Sequence, residues 1–209
     1  ANMLKISTSI LAAQNRSDSI IKLNQTNTDY IHIDIMDGNF VPNEQFKKEE
    51  IQSLLPLSTK PVDIHLMVSN PLEYIDILNY PNIFNITIHL EITKDIKSIL
   101  KTIKDKGYKC GIAIKPKTDI KKLIPYIKDI DLILIMSVEP GFGGQEFIPN
   151  TINRIKEIKE LNPNLIIEVD GGIKNTNINL LKDSIDIAVV GSYITNKSDY
   201  NEAINNLKN

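Results

Sequence analysis

Cysteine is almost missing from this 209-residue chain: Cys110 stands alone. No internal disulfide can form, and a reducing compartment, the cytoplasm, is the expected setting. The opening stretch "ANMLKISTSIL" lacks the layout of a signal peptide. Met3 is not the first residue, so a targeting segment removed upstream stays open as an alternative. No apolar run reaches the roughly 18 residues that span a membrane. An excess of positive charge is missing too. Lys and Arg number 24 against 26 Asp and Glu, a net charge of −2 at pH 7, which argues against nucleic acid as a partner. Low-complexity sequence is absent, because the hydrophobic pattern survives the abundance of Asn, Ile and Lys, which we read as codon bias. Glycine is scarce at nine residues, so where glycines gather is informative.

What is present is a regular alternation. With 42% hydrophobic residues the chain can bury one sizeable core. Short β-branched runs fall at 4–11, 30–36, 62–67, 85–90, 110–115, 132–138, 165–170 and 187–192. Between them lie amphipathic stretches such as "SDSIIKLNQ", "KDIKSILKTIKDKG" and "NTINRIKEIKELN". In the second of these, Ile96, Ile99, Leu100 and Ile103 recur at helical spacing and Gly107 supplies a stop. Eight strands alternating with helices predict an α/β fold with a parallel sheet, and eight units fit a closed (β/α)8 barrel better than an open sheet. Residues 1–209 are expected to form that barrel as a single domain.

The polar residues then fall into a pattern. In "YIHIDIM", alternation puts His32, Asp34 and Met36 on one face and Ile31, Ile33 and Ile35 on the other. His65 and Met67 end the third predicted strand, Met136 is late in the sixth, Asp170 ends the seventh, and Gly191 and Ser192 end the eighth. A barrel builds its active site at those C-terminal ends. His32, Asp34, His65 and Asp170 offer two imidazoles and two carboxylates, a donor mixture suited to zinc and also to iron, manganese or cobalt. A lone histidine in a strand is more often a satisfied core group; two of them opening His-x-Asp and His-x-Met patterns favour a metal site. His89, in "TIHLE", has no paired carboxylate on its own face within the strand and reads as a lining or supporting residue.

Seven of the nine glycines lie in the opening motif or in three turns: Gly38, then Gly141, Gly143 and Gly144 in "EPGFGGQ", Gly171 and Gly172 in "DGG", and Gly191 in "GS". Glycines let backbone amides approach an anion, and loops after the last barrel strands often hold phosphate. Met36, Met67 and Met136 are suited to a soft apolar wall or simply to filling core gaps. Cys110 begins its strand, away from the C-terminal ends, and reads as packing.

The stretches "HIDIMDGNFVPN", "DIHLMVSNP", "LILIMSVEPGFGGQEF", "IEVDGGI" and "VVGS", in this order, resemble the ribulose-phosphate 3-epimerase family over essentially the whole chain. The resemblance implies a phosphate-binding (β/α)8 barrel that interconverts D-ribulose 5-phosphate and D-xylulose 5-phosphate in the pentose phosphate pathway. It implies one divalent ion per chain, zinc in the first place, held by His32, Asp34, His65 and Asp170, with Asp34 and Asp170 also acting as the two acid/bases. Substrate contacts are implied for Ser9, His65, Met36, Met67, Met136, Gly141, Phe142, Gly143, Gly144, Asp170, Gly171, Gly172, Gly191 and Ser192. The implied partners are a small phosphorylated ketose and further copies of the chain in a homo-oligomer, with no nucleic acid and no membrane. Thr8, Gln14, Lys47, Lys117 and the "NYPNIFN" stretch depart from the family pattern, away from the metal and phosphate positions.

Three rivals stand beside this reading. A sister epimerase acting on a six-carbon ketose phosphate would share nearly all of these motifs. A decarboxylase or aldol-type synthase would carry an Asp-x-Lys-x-x-Asp run where this chain reads "DIHLMV", with no lysine. A non-catalytic phosphosugar sensor would be expected to lose a metal ligand or base, and none is lost.

Overall fold

The computed structural model describes residues 3–141 and 146–209. Its strands are β1 (Lys5–Ser9), β2 (Tyr30–Asp37), β3 (Glu44–Gln45), β4 (Val62–Met67) and β5 (Ile83–His89), followed by β6 (Lys109–Ile114), β7 (Leu132–Met136), β8 (Ile166–Asp170) and β9 (Ile187–Val190). All except β3 pair in parallel with their neighbours, and β1 pairs with both β2 and β9. The eight parallel strands therefore close into a barrel, as the alternation predicts. The helices are α1 (Arg16–Leu23), α2 (Lys48–Leu54), α3 (Pro71–Ile75), α4 (Ile96–Asp105), α5 (Thr151–Leu161), α6 (Ser192–Thr195) and α7 (Tyr200–Lys208). Two crossovers use 3-10 turns instead, at Ile120–Tyr126 and Ile178–Leu180. Pro125 lies inside the first and lacks the N–H an α-helix would need there.

The expected strands at 4–11, 132–138 and 187–192 stop short, at Ser9, Met136 and Val190, because the residues that follow leave the ladder for the turns at the barrel mouth. The ribbon β3 was not expected. It pairs antiparallel with the end of β2, Met36 opposite Gln45 and Asp37 opposite Glu44. Gly38, at a φ of 74°, makes the bend between them.

The strands have two faces with different tasks. Ile31, Ile33 and Ile35 point outward and are fully buried in the core shared with the helices. Inward, the barrel is divided. Ala113, Leu132, Leu134, Met136, Ile187 and Val189 form a small apolar cluster contributed by β6, β7 and β9. Most inward positions of β1, β2, β4, β5 and β8 are polar, among them the buried Ser7, His32, Asp63, Asn85, Thr87 and Glu168. The site grows out of that polar half.

Helix α4 shows how the outer layer is fixed. The Asp95 side chain caps it by accepting from the Ser98 N–H at 3.3 Å, and Ile96, Ile99, Leu100 and Ile103 are buried against the barrel. Gly107 closes it at a φ of 88°. Ile103 is fully buried, so Ile103→Ala should cost about 2–5 kcal/mol. Urea denaturation measures this, and a cost below 1 kcal/mol would show that the helix layer relaxes around the loss.

Candidate active site

At the C-terminal ends of the strands the cavity measures about 480 Å³, within the usual range for small ligands. Ser9, Asp34, Met36, Met67, Met136 and Asp170 line its floor and walls. Gly141, Gly171, Gly172, Gly191 and Ser192 line its rim. His32 and His65 are fully buried beneath this floor rather than lining it. Phe142, Gly143 and Gly144 lie outside the described residues.

Register explains why the four expected ligands meet. On the ladder between β2 and β4, His32 lies opposite Asp63 and Asp34 opposite His65. Asp170 ends β8 on the far side of the barrel, which brings its carboxylate across the axis. His32 Nε2 is 3.1 Å from Asp34 Oδ1 and 3.9 Å from Asp170 Oδ2. His65 Nδ1 is 3.4 Å from Asp34 Oδ1 and 3.6 Å from Asp170 Oδ2. One donor atom from each residue falls within 4.8 Å of all the others.

The residues fit a divalent ion by a test of their own bonding. His32 Nδ1 is engaged by Asp63 Oδ2 at 3.1 Å, which leaves Nε2 toward the cluster. His65 Nε2 is engaged by His89 Nε2 at 2.8 Å, which leaves Nδ1 toward the cluster. His65 Nδ1 is completely buried and has no hydrogen-bond partner among the described residues. Such an atom is costly unless something takes its lone pair. Two imidazole nitrogens, His32 Nε2 and His65 Nδ1, facing two carboxylate oxygens are a donor set for zinc, iron, manganese or cobalt.

Beneath the cluster lies a second polar layer. Asp63 Oδ2 accepts from Ser7 Oγ at 3.0 Å, and its Oδ1 accepts from Asn85 Nδ2 at 3.1 Å. Glu168 completes the layer; burial, reinforced by Asp63, pushes its carboxyl well above the usual range, so it is a neutral acid. His32, Asp63 and Glu168 are also close enough to share an ion. With Asp63 already bonded on both oxygens, that deeper group serves instead to hold His32.

Electrostatics follow the same layout. Burial disfavours the His32 cation, but Asp34 and Asp63 outweigh it and hold the ring well above its usual pKa. Burial likewise opposes the His65 cation, and Asp170 with Asp34 more than offsets it. Asp34 is driven up by burial and down further by His32 and His65, so it stays an ionised carboxylate. Ser9 Oγ donates to its second oxygen, Oδ2, at 2.6 Å. His89 behaves oppositely: burial pushes it down to about 4, and it is a neutral ring.

The opening motif also builds the roof. Asp37 Oδ1 accepts the N–H groups of Asn39 and Phe40 at 2.8 Å each, and Oδ2 accepts the Ser69 N–H at 2.8 Å. Asn43 Nδ2 donates to the Gly141 carbonyl at 2.8 Å. Gly171 adopts a φ of 119°, and a Cβ there would lie 2.4 Å from Val138 Cγ2, so only glycine fits that turn. Sequence reasoning passed over Asp63, Glu168 and Glu91, and the cavity-lining Lys174, Asn177, Tyr193 and Lys197. Alternation points to Asp63 and Glu168, which lie two residues before His65 and Asp170 on the same strand faces; Glu91 lies beyond the end of β5, where alternation gives no signal.

Residues 5–195 match the model of the ribulose-phosphate 3 epimerase family. The chain is 33% identical to the ribulose-phosphate 3-epimerase of Bacillus subtilis (strain 168), with 99% of each chain covered. It is 36% identical to that of Helicobacter pylori (strain J99), covering 88% of this chain and 87% of the relative. The cytoplasmic isoform of Oryza sativa subsp. japonica is 34% identical over 99% of this chain and 91% of its own. Among solved structures, KGPDC from Streptococcus mutans superposes with a TM-score of 0.71 at 13% identity, covering 99% of this chain and 96% of that one. The 3-hexulose-6-phosphate synthase from Salmonella typhimurium gives 0.68 at 15% identity, covering 98% and 97%. At such identities the structures speak for the barrel alone. The sequence matches speak for the family: this chain belongs to the ribulose-phosphate 3-epimerases.

Proposed function

We propose that this site inverts C3 of ribulose 5-phosphate to give xylulose 5-phosphate, with Asp34 and Asp170 as the two acid/bases. The observation that carries the reading is the meeting of two carboxylates from β2 and β8 beside the unpartnered His65 Nδ1 at the cavity floor. Family membership supports the substrate, and the glycine turns at the rim support its phosphate.

Inverting a carbon beside a ketone means removing its proton and returning one to the opposite face. That takes two groups on opposite sides of a planar enediolate. Asp34, ionised and held by Ser9, takes the C3 proton from one epimer, and Asp170, carrying the proton at that point of the cycle, gives it to C3 from across the barrel, so each turnover leaves Asp34 protonated and Asp170 ionised. The roles exchange in the reverse direction. A divalent ion held by His32, Asp34, His65 and Asp170 supplies, when bound, a Lewis acid that polarises the C2 carbonyl and offsets the charge left as C3 loses its proton. Met36, Met67 and Met136 give the reacting carbons an apolar wall that keeps water off the enediolate. At the rim, Gly171, Gly172, Gly191 and Ser192 offer backbone amides to the phosphate, so remote binding energy orients C3 between the two carboxylates. The same reading takes zinc as the ion, the pentose phosphate interconversion as the setting, the cytoplasm as the compartment and a homo-oligomer as the assembled form.

The test compares ribulose 5-phosphate, unphosphorylated ribulose and allulose 6-phosphate with one preparation of zinc-loaded enzyme. The five-carbon phosphate should have the highest kcat/KM, and the free sugar should be lower by several orders of magnitude. Equal turnover of the free sugar would remove the phosphate role of the glycine turns. A preference for the six-carbon phosphate would reassign the substrate.

A further inference from the structure

We propose that Glu91 is a positioning residue for the metal site: through His89 it fixes His65 in the tautomer that presents a bare Nδ1 to Asp34 and Asp170. The inference rests on the divalent-metal reading above and deepens it. The argument is a chain of donors and acceptors. Glu91, just beyond the end of β5, sits two residues after His89 and faces the same way. Its Oε1 is 2.8 Å from His89 Nδ1. A carboxylate can only accept, so His89 Nδ1 carries the hydrogen. The His89 ring is fully buried with its Nδ1 hydrogen already given to Glu91, and among the described residues a hydrogen on His65 Nδ1 would find no hydrogen-bond partner. The two Nε2 atoms of His89 and His65 face each other at 2.8 Å, and one must donate. That donor is His65, whose Nε2 therefore holds its hydrogen while Nδ1 is left for the ion. Without Glu91 the His89 ring is free to reverse its tautomer. A hydrogen on His89 Nε2 would then force the His65 hydrogen onto Nδ1, which closes the site to metal.

The rings are held for this task. His89 lies between Phe40 and His65, with ring centroids 4.9 Å away on either side. The second oxygen of Glu91 is fixed separately, accepting from the Lys115 N–H at 3.0 Å and from Thr118 Oγ at 2.7 Å. Thus the carboxylate has one oxygen for the relay and one for its anchorage. Histidine ligands are commonly oriented by a carboxylate on their other nitrogen, and loss of such a partner typically costs about 10–100-fold in metal affinity. His32 has that arrangement directly with Asp63; His65 has it at one remove.

Two readouts test the proposal. Zinc affinity, measured by competition with a chromophoric chelator, should fall about 10–100-fold in Glu91→Gln. His89→Leu should lower it comparably, and Glu91→Gln should add nothing in the His89→Leu background, because its effect travels through His89. Thr118→Val, which loosens only the anchoring oxygen, should keep wild-type affinity. Nitrogen-15 spectra of histidine-labelled, metal-free protein, recorded at a pH high enough to leave the His65 ring neutral, should show His89 as a single Nδ1–H tautomer in wild type and as a mixture in Glu91→Gln. The chain has only three histidines, which makes assignment simple. Unchanged affinity and an unchanged His89 tautomer in Glu91→Gln would overturn the relay while leaving the metal site standing. An additive loss in the double variant, or an equal loss in Thr118→Val, would also overturn it, in favour of a merely structural role for Glu91. If the wild-type protein takes up no zinc, the metal reading fails, and the His89 tautomer still decides whether Glu91 sets the ring.

Discussion

Zinc-loaded Asp170→Asn protein is expected to lose epimerisation in both directions, by at least the roughly 10²–10⁴-fold that a general acid or base usually contributes. Asp34→Asn should do the same. Each substitution keeps the shape of the side chain and removes the ability to take a proton. Inversion needs both faces, so either loss stops it. Exchange needs only one. With one carboxylate left, the epimer whose C3 hydrogen points at the survivor should still wash deuterium in from heavy water, and the other epimer should not. The two variants should show opposite preferences. Metal content has to be matched first, because Asp34 Oδ1 and Asp170 Oδ2 both belong to the ligand cluster, and lost charge stabilisation would pass for a lost base. Asp34 needs the added control of Ser9→Ala, since Ser9 Oγ donates to its outer oxygen at 2.6 Å and sets its direction. A metal-replete single variant that interconverts the epimers near the wild-type rate would end the two-base mechanism for this chain.

The fold was legible in the sequence because its signal is repeated. Eight β-branched runs, each with an amphipathic stretch behind it, leave few ways to bury both faces of a parallel sheet. The four clustered ligands were legible because they break that signal: a hydrophobic strand interrupted by His32 and Asp34 on one face asks for a reason. Interior residues that support the site were harder to see. Asp63 and Glu168 look like ordinary polar interruptions until register places Asp63 opposite His32. From the sequence His89 reads as a lining or supporting residue because its own strand face offers no carboxylate. Its partners lie just beyond the strand end, at Glu91, and on the neighbouring strand, at His65. Neither relation is a spacing that a single strand displays. The ribbon β3 was invisible for another reason: two residues cannot show an alternation, and it exists because Gly38 and the Asp37 side chain turn the chain back on β2.

Zinc uptake by the metal-free protein should release protons at pH 7–8, and His65→Ala should abolish most of the uptake. The sign follows from the charges around the two rings. An ordinary histidine, near pKa 6.5, would already be neutral in that range and would release little. Here Asp34 with Asp63 raises His32, and Asp170 with Asp34 raises His65, so the metal-free site still carries imidazolium above pH 6.5. An ion can bind only the unprotonated nitrogens, so it displaces those protons. Affinity should therefore climb as pH rises through this window and weaken in acid, while Asp34, ionised well below it, contributes nothing to the slope there. Calorimetry in buffers of different ionisation enthalpy counts the protons directly. Truncating His65 removes a ligand and leaves His89 Nε2 without its donor, so the affinity loss should exceed the 10–100-fold that a lost outer partner costs. Chelation of the wild-type ion should halt epimerisation, and zinc should restore it. Turnover that survives complete chelation would leave the His32, Asp34, His65 and Asp170 cluster as an acid/base site without a metal. Uptake with no proton release at pH 7–8 would show that the carboxylates do not hold these two rings charged.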